Sequence, residues 1–181
     1  MKGNLVMTPE NKQAFERSMD MLDSSIKEMR RVAHNMMPES LLKFGLATAL
    51  NDFCNEINQS GALKVNYQSI GLVNVAIDQT MSITIYRIVQ ELINNTMKHA
   101  AAKTALVQVA KTDGQLTVTV EDDGKGFDTA ILNTAKARPD GPVGRGIGWS
   151  NIQSRVEFLK GKLDVNSAVG KGTSVLIELN V

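Results

Sequence analysis

Three polar residues at helical spacing, Glu91, Asn95 and Lys98, are the first candidates for chemistry in this sequence. Separated by four and then three positions, they place a carboxylate, an amide and an ammonium on one stripe of a helix. An amide oxygen is a hard ligand for Mg²⁺, an ammonium suits phosphate, and a carboxylate can act as a base or orient water. The stripe therefore suits a magnesium triphosphate, although the same spacing also occurs on solvated helix faces.

A turn that contains two glycines follows a predicted strand, in the run from Glu121 to Phe127. Gly124 and Gly126 permit positive φ angles and a close approach of the backbone to a flat ligand. Asp122 can accept a hydrogen bond from an exocyclic amine such as that of adenine. An ordinary Asp-Gly turn explains the same residues equally well, so this pattern alone leaves both interpretations open.

A third pattern, Gly144, Gly146 and Gly148, stands just before a helix predicted to begin at Ser150. Backbone amides at a glycine-rich helix entrance bind phosphate well. The preceding segment, residues 128–146, is rich in proline and glycine and long for a loop, which favours a functional lid. The strand of a dinucleotide-binding fingerprint and the GxxxxGK[ST] pattern are both missing, so neither Rossmann nor P-loop chemistry is supported.

The order of these patterns along the chain carries a family resemblance. The stretch from Tyr86 to Ala100, followed by residues 121–127, 144–148 and 170–173, closely resembles the ATP-binding catalytic domain of two-component sensor histidine kinases. The same fold group includes DNA gyrase, a heat-shock chaperone and a mismatch-repair ATPase. The resemblance covers roughly residues 40–181. The residues of the stretch from Tyr86 to Ala100 are most similar to those of the subfamily with dimerisation helices of the HisKA_3 type.

The resemblance implies ATP and Mg²⁺ as cofactors, and it implies a role for each matching residue. Glu91 takes the place of an acidic catalytic residue, Asn95 that of a magnesium ligand, and Lys98 and His99 those of phosphate-facing residues. Asp122 takes the place of the adenine-binding aspartate, with Gly124 and Gly126 beside it. Gly144, Gly146 and Gly148 stand at the end of the lid, and Thr173 supplies a hydroxyl near the nucleotide. For His99 a buried structural imidazole is an equally open role, because its helical angle falls on the apolar line.

The elements that must position these residues are predicted from periodicity and turn signals. A helix that ends at Ser60, a long helix over residues 78–102 and a helix over residues 150–159 alternate with strands at 64–69, 105–111 and 115–121 and a hairpin at 162–181. This order predicts an α+β fold, a two-layer α/β sandwich in which helices cover one face of a mixed sheet. The resemblance implies a Bergerat-type ATP site in that sandwich.

An apolar heptad precedes this fold, at Phe15, Met19, Leu22, Ile26, Met29, Ala33 and Met36. A seam of this kind needs a covering surface, which predicts one half of a dimeric helical bundle. Packing on the chain's own domain is the alternative. We therefore expect residues 1–37 to be a partial dimerisation helix, the second helix of the bundle, and residues 38–181 to be the catalytic ATP-binding domain.

Composition limits the remaining possibilities. The chain has 181 residues, with 20 basic and 19 acidic side chains and a net charge of +1, which removes the electrostatic support for nucleic-acid or membrane-surface binding. One cysteine and two histidines cannot form a disulfide framework or a zinc site. No apolar run is long enough for a membrane span, so we expect no membrane contact by this chain. A cytoplasmic location is expected, either for a whole protein or for the cytoplasmic part of a membrane-anchored sensor.

The expected function is transfer of the γ-phosphate of ATP to a histidine, for relay to a response regulator, within a homodimer formed through the N-terminal helix. The resemblance implies an acceptor histidine near the start of the first bundle helix, with a second long helix between it and the catalytic domain. His34 is therefore a poor acceptor candidate, because the interval up to Glu91 already holds a helix and a strand and leaves no room for that second helix. The acceptor is therefore expected outside this chain, which should be inactive alone. The alternatives are a nucleotide-dependent interaction module and an anti-sigma-type serine kinase of the same fold group.

Overall fold

The structure is a computed structural model, and it divides into two compact units, Met1–Glu39 and Ser40–Val181. It describes Phe15, Ser18, Met19, Met21, Leu22 and residues 39–72, 75, 77–130, 132 and 147–181. In the first unit the described residues are helical, and the predicted seam positions Phe15, Met19 and Leu22 are exposed. The rest of the seam, together with His34, lies outside the described residues.

From Glu39 onward, the elements whose bounds the described residues define are three α-helices and five strands. In chain order they are α1 (Glu39–Ser60), β1 (Lys64–Ile70), α2 (Gln79–Asn95) continued by a π-helical turn (Thr96–Ala100), β2 (Thr104–Thr112), β3 (Gln115–Asp122), α3 (Ile147–Phe158), β4 (Lys162–Ser167) and β5 (Thr173–Asn180). Every predicted strand is present. Helix α3 is described from three residues before its predicted start and therefore includes Gly148.

The strands form one mixed sheet in the order β1-β2-β3-β5-β4. Strand β1 runs parallel to β2, as the intervening helix α2 requires, and the other neighbours are antiparallel. The β2–β3 hairpin turns at Asp113 and Gly114, both with positive φ, as their dipeptide predicts. The predicted α+β class and mixed sheet are confirmed.

The core lies between the helices and one face of the sheet. Alternate strand residues are buried against the helices, while their neighbours face outward and are mostly polar, so one face of the sheet stays open. Ile88, Val89 and Ile93 of α2 are fully buried in this layer. Residues separated by one, four and five positions lie on the same side of a helix, so these three side chains form the apolar stripe by which α2 packs against the strands.

Two local features define the ends of the elements. Helix α1 is interrupted at Gly45, whose φ of 81° and ψ of 179° are open only to glycine. At the sheet edge, Asn58 donates from Nδ2 to the carbonyl of Val65 at 2.9 Å and accepts from its N–H at 2.7 Å. That reciprocal pair occupies the N–H and the carbonyl of Val65 on edge strand β1. Within the described parts of the chain, no helix combines the length and the apolar content of a membrane span.

Candidate functional site

Helix α2 carries the first group of candidate residues along the border of its buried face. The helix begins where the carboxylate of Asp78 accepts from the N–H of Met81 at 3.0 Å, an N-cap that satisfies one free amide. Glu91 and Asn95 are half-buried, one turn apart. The amide nitrogen Nδ2 of Asn95 is buried and finds no hydrogen-bond acceptor among the described residues. A buried donor without a partner is costly, so this amide is suited to an external ligand.

The chain then passes through the π-helical turn, which the sequence patterns did not predict. The turn covers Thr96–Ala100 and ends where Ala101 adopts a left-handed conformation with φ of 51°. A π turn holds more residues than an α turn, so positions after Asn95 rotate away from the predicted stripe. Lys98 and His99 are therefore exposed, and the buried alternative for His99 is wrong.

The π turn brings Thr96 to the second candidate group. Thr96 Oγ1 lies 3.1 Å from the carbonyl of Leu92 and 3.2 Å from Oδ2 of Asp122, so its one proton can be donated to either oxygen. Oδ1 of Asp122 accepts from the N–H of Gly124 at 2.8 Å. Both oxygens of this carboxylate are thus oriented, one by the helix and one by its own turn. Thr96 gives no signal in the sequence, since its partner is 26 residues away.

Two glycines of this turn are required by close backbone approach. A Cβ atom on Gly124 would lie 2.5 Å from the carbonyl oxygen of Ala100, and one on Gly126 would lie 2.7 Å from that of Gly172. Gly126 also has a positive φ of 57°. These contacts leave no room for a side chain, so the turn is held flat between the π turn and the β4–β5 hairpin.

The β4–β5 hairpin supplies hydroxyl groups beside this turn. Thr173 is the register partner of Asp122 across β3 and β5. Ser167 Oγ accepts from the N–H of Phe127 at 2.9 Å, donates to the carbonyl of Gly172 at 2.9 Å, and lies 3.1 Å from Oγ1 of Thr173. The prediction included Thr173 and missed Ser167, whose position opposite Thr173 depends on the hairpin register.

The first turn of α3 completes the grouping. A Cβ atom on Gly148 would lie 2.6 Å from Oε1 of Glu91 and 3.4 and 3.5 Å from the amide atoms of Asn95. Residues more than 50 positions apart therefore meet, and the first described turn of α3, the positive end of its dipole, lies beside the carboxamide of Asn95. Gly144 and Gly146, together with most of the predicted lid, lie outside the described residues.

An aromatic pair links the two segments on either side of the loop. The rings of Phe127 and Trp149 are 5.7 Å apart between centroids and inclined at 54°. Phe127 directly follows the Gly126 turn, and Trp149 directly follows Gly148. The contact therefore helps to hold the turn after β3 near the first turn of α3.

A shallow depression of about 940 Å³ lies elsewhere around the end of β3. It includes Asp122 and Asp123, but neither Glu91 nor Asn95, and outward-facing side chains such as Asn66 and Glu121 line much of it. We assign the candidate site to the α2 side instead. The unpartnered amide of Asn95 and the contact with Gly148 are both found there.

The chain is similar to known histidine kinases. Residues 80–181 match the family of histidine kinase-, DNA gyrase B- and HSP90-like ATPases. A sensor histidine kinase, MctS, from Rhizobium johnstonii is 30% identical over 155 residues, which are 85% of this chain and 32% of that protein. The signal transduction histidine-protein kinase/phosphatase DegS from Brevibacillus brevis is 28% identical over 161 residues, 89% of this chain and 39% of its own length.

Solved structures give the same result. The histidine kinase domain of a blue-light activated histidine kinase from Erythrobacter litoralis is 29% identical and superposes with a TM-score of 0.56, over 75% of this chain and 60% of that one. The chain spans about a third of the length of the two sequence relatives. The matched residues, 80–181, include α2, the turn after β3, the first turn of α3 and the terminal hairpin. The chain belongs to the family of histidine kinase-, DNA gyrase B- and HSP90-like ATPases.

Proposed function

We propose that this chain is the ATP-binding catalytic portion of a sensor histidine kinase and that the cleft beside α2 binds Mg-ATP. The observation that carries the proposal is the meeting of Gly148 with Glu91 and Asn95. It joins a half-buried carboxylate, an amide nitrogen that has no acceptor in the described part of the chain, and the positive end of a helix, which together suit a metal-bound triphosphate.

The adenine end of the nucleotide is assigned to Asp122. Its carboxylate is oriented by Thr96 and Gly124 and accepts hydrogen bonds only, which matches the exocyclic amine of adenine. Gly126 and Thr173 border the same turn, as proposed nucleotide contacts. Lys98 and His99, both exposed after the π turn, are proposed to face the phosphates.

The residues present fit Mg²⁺ held jointly by protein and nucleotide. In residues 39–72, 77–130 and 147–181, as in the other described positions, no group of three or more His, Cys, Asp or Glu side chains could hold a metal. Mg²⁺ in nucleotide sites commonly takes one or two protein oxygens and completes its shell with phosphates and water. Oδ1 of Asn95 would be the protein ligand, and its Nδ2 would be left to donate to a phosphate oxygen. When bound, the ion neutralises charge on the phosphate oxygens.

The role proposed for Glu91 is to orient or deprotonate the attacking group. Phosphoryl transfer needs positioning and charge neutralisation more than covalent help, so a carboxylate held by its neighbours is sufficient. The phosphate would pass to a histidine and from there to a response regulator. His34 is not proposed as that histidine. This activity and this partner belong to a longer protein, of which the chain would be one part.

The nucleotide site is tested by calorimetry with ATP and Mg²⁺. Asn95→Ala should abolish the Mg²⁺-dependent part of the affinity, and Asp122→Ala should weaken adenine binding. Asn94→Ala, one position away on the same helix, and Asp164→Ala, an exposed carboxylate on β4, serve as controls and should leave the affinity unchanged. Unchanged affinity in both site variants would overturn the assignment.

The kinase activity is tested with γ-labelled ATP and a separately supplied helix fragment that carries an acceptor histidine. Acid-labile label should appear on the fragment and not on the chain itself. Label on the chain that disappears in His34→Gln would contradict the proposed location of the acceptor. Binding of Mg-ATP without any transfer would favour a nucleotide-dependent interaction module.

Homodimerisation through residues 1–37 is proposed for the full-length protein. The exposed side chains of Phe15, Met19 and Leu22 support it, because an apolar seam gains stability when a second helix covers it. Light scattering on a longer chain that includes the preceding residues should give the mass of a dimer. Replacement of Phe15 and Leu22 by Glu should reduce it to that of a monomer.

A further inference from the structure

Asp123, the second acidic residue of the turn after β3, makes an unusually complete set of hydrogen bonds. Its Oδ1 accepts from the N–H groups of Lys103 and Thr104 at 2.8 and 2.9 Å, and its Oδ2 accepts from Thr104 Oγ1 at 2.8 Å. The backbone N–H of Asp123 also donates to the carbonyl of Thr104 at 3.2 Å. An exposed carboxylate needs none of these bonds to be solvated, so their concentration here indicates a positional role.

The bonds of Asp123 join two segments that flank the proposed adenine site. Lys103 and Thr104 stand where the chain leaves the π turn and enters β2. A second link runs parallel to the first, since the N–H of Lys125 donates to the carbonyl of Ala100 at 2.8 Å. The turn after β3 is therefore tied at two points, once to the last residue of the π turn and once to the segment that follows it.

The separation of Asp122 and Thr96 depends on this tie. Asp122 directly precedes Asp123, and Thr96 opens the π turn, which ends at Ala100. Their contact of 3.2 Å is at the long end for a hydroxyl and a carboxylate, so it does not lock the two segments by itself. The three bonds to Asp123 are shorter and charge-assisted, and that class of bond is about twice as strong as a neutral one.

We propose that Asp123 is a positioning residue for nucleotide-base recognition, which fixes the turn after β3 against the π turn so that Asp122 discriminates adenine from guanine. The inference rests on the proposed function, in which Asp122 meets the base. A carboxylate accepts from the amine of adenine and repels the carbonyl oxygen that guanine has in its place. Rejection of guanine requires that the carboxylate cannot move aside, because a mobile group can avoid the unfavourable contact.

The bonding pattern predicts which substitutions preserve this role. In Asp123→Asn the remaining oxygen can still accept from the amides of Lys103 and Thr104, while the new amino group can donate to Thr104 Oγ1. Asp123→Ala removes all three bonds. Thr104→Val removes only the bond to Oδ2 and keeps both backbone bonds, with little change of shape.

The test compares the affinities for ADP and GDP by calorimetry, with thermal unfolding of the nucleotide-free proteins alongside. Asp123→Ala should weaken ADP binding about tenfold, the scale of one charge-assisted hydrogen bond, while GDP binding stays the same or rises because the freed carboxylate of Asp122 can move away from the guanine carbonyl. The ADP to GDP preference then falls about tenfold or more by the same reasoning. In Asp123→Asn the ADP to GDP preference should stay within about threefold of wild type, and in Thr104→Val it should lie between those of the Asn and Ala variants.

Three outcomes would overturn the inference: an unchanged ADP to GDP preference in Asp123→Ala, an equal loss of both affinities together with a lower melting temperature, or an Asn variant as impaired as the Ala variant. Asp164→Ala, which removes an exposed carboxylate of β4, should change neither affinity. Asp122→Ala separates the inference from its premise. If that variant keeps full ADP affinity and preference, the proposed adenine site itself is wrong, whatever Asp123 does.

Discussion

Gly148→Ala should lower the rate of phosphoryl transfer about a hundredfold while it leaves the fold and nucleotide affinity nearly intact. Gly148 lies inside α3 without a left-handed φ angle, so alanine fits its backbone. The new Cβ would stand 2.6 Å from Oε1 of Glu91, whereas ordinary contact begins at 3.4 Å, so this carboxylate must withdraw by about 0.8 Å. Asn95 already lies at 3.4 and 3.5 Å from that Cβ and need not move.

The magnitude follows from that displacement. A shift of about 1 Å in a positioned catalytic group can lower a rate by about a hundredfold. The stability of the domain should change by less than about 1 kcal/mol, because Glu91 bends away at its flexible end and alanine has the better helix propensity. Affinity for Mg-ATP should change by less than about threefold, since the groups proposed to bind the nucleotide in its ground state, Asn95 and Asp122, stay in place.

The assay measures phosphoryl transfer from γ-labelled ATP to a separately supplied histidine-bearing helix, with calorimetric affinity and thermal unfolding for each variant. Ser150→Ala, an exposed position of the same turn, is the control. Glu91→Gln should lose a similar factor, and the double variant should be no worse than either single one, because both remove the same group. Transfer within threefold of wild type, or an affinity loss as large as the rate loss, would refute the reasoning.

Three further predictions concern stability and reactivity. Gly172→Ala should lower the free energy of unfolding, measured by urea titration, by about 2 to 4 kcal/mol. The reason is that φ is +72° at this position and a Cβ would collide with the carbonyl oxygen of Asp122. Gly170→Ala, at φ +81° with open space around it, should lower the same free energy by only about 1 kcal/mol. Burial raises the pKa of the Cys54 thiol from 9.0 to about 12. Because the thiolate is the reactive form, a disulfide reagent at pH 8 should react about a thousandfold more slowly with the folded chain than with the chain in urea. Rapid labelling of the native protein would contradict this prediction. The hydrogen bonds from Thr104 and Lys103 hold the pKa of Asp123 below its ordinary 3.8. The contribution of Asp123 to stability is therefore present above that value and is lost as pH falls through the folded-state pKa. In a plot of the urea midpoint against pH, Asp123→Asn should flatten the fall on the acid side, and curves that run parallel for the two proteins would exclude this contribution.

Much of the fold follows from local patterns that the sequence displays directly. Strand β3 alternates buried and outward-facing residues, and its link to β2 uses the Asp113-Gly114 turn that suits a tight hairpin. Helix α2 has an apolar stripe and an Asp78 cap, so its start is predicted within one residue. Patterns of this kind depend only on neighbours in the chain, which is why they can be interpreted without coordinates.

The candidate site was predictable in composition and only partly in arrangement. Glu91, Asn95 and Asp122 were named from residue type and spacing, and the family resemblance linked them. The choice between a buried and a phosphate-facing His99 stayed open, because a helical wheel of constant pitch does not represent a π turn. Thr96 and Ser167 were missed, because their partners lie 26 and 40 residues away along the chain.

By itself the sequence determined which residue types could serve a nucleotide and which segments form helices and strands, since both depend on side-chain chemistry and short-range periodicity. Tertiary structure alone decided that Gly148 lies against Glu91 and Asn95, and that Asp123 ties the turn after β3 to the segment that follows the π turn. Those contacts depend on how α3 and β2 pack on the shared core. A packing geometry is a property of the whole layer of buried side chains, and no single stretch of the chain encodes it.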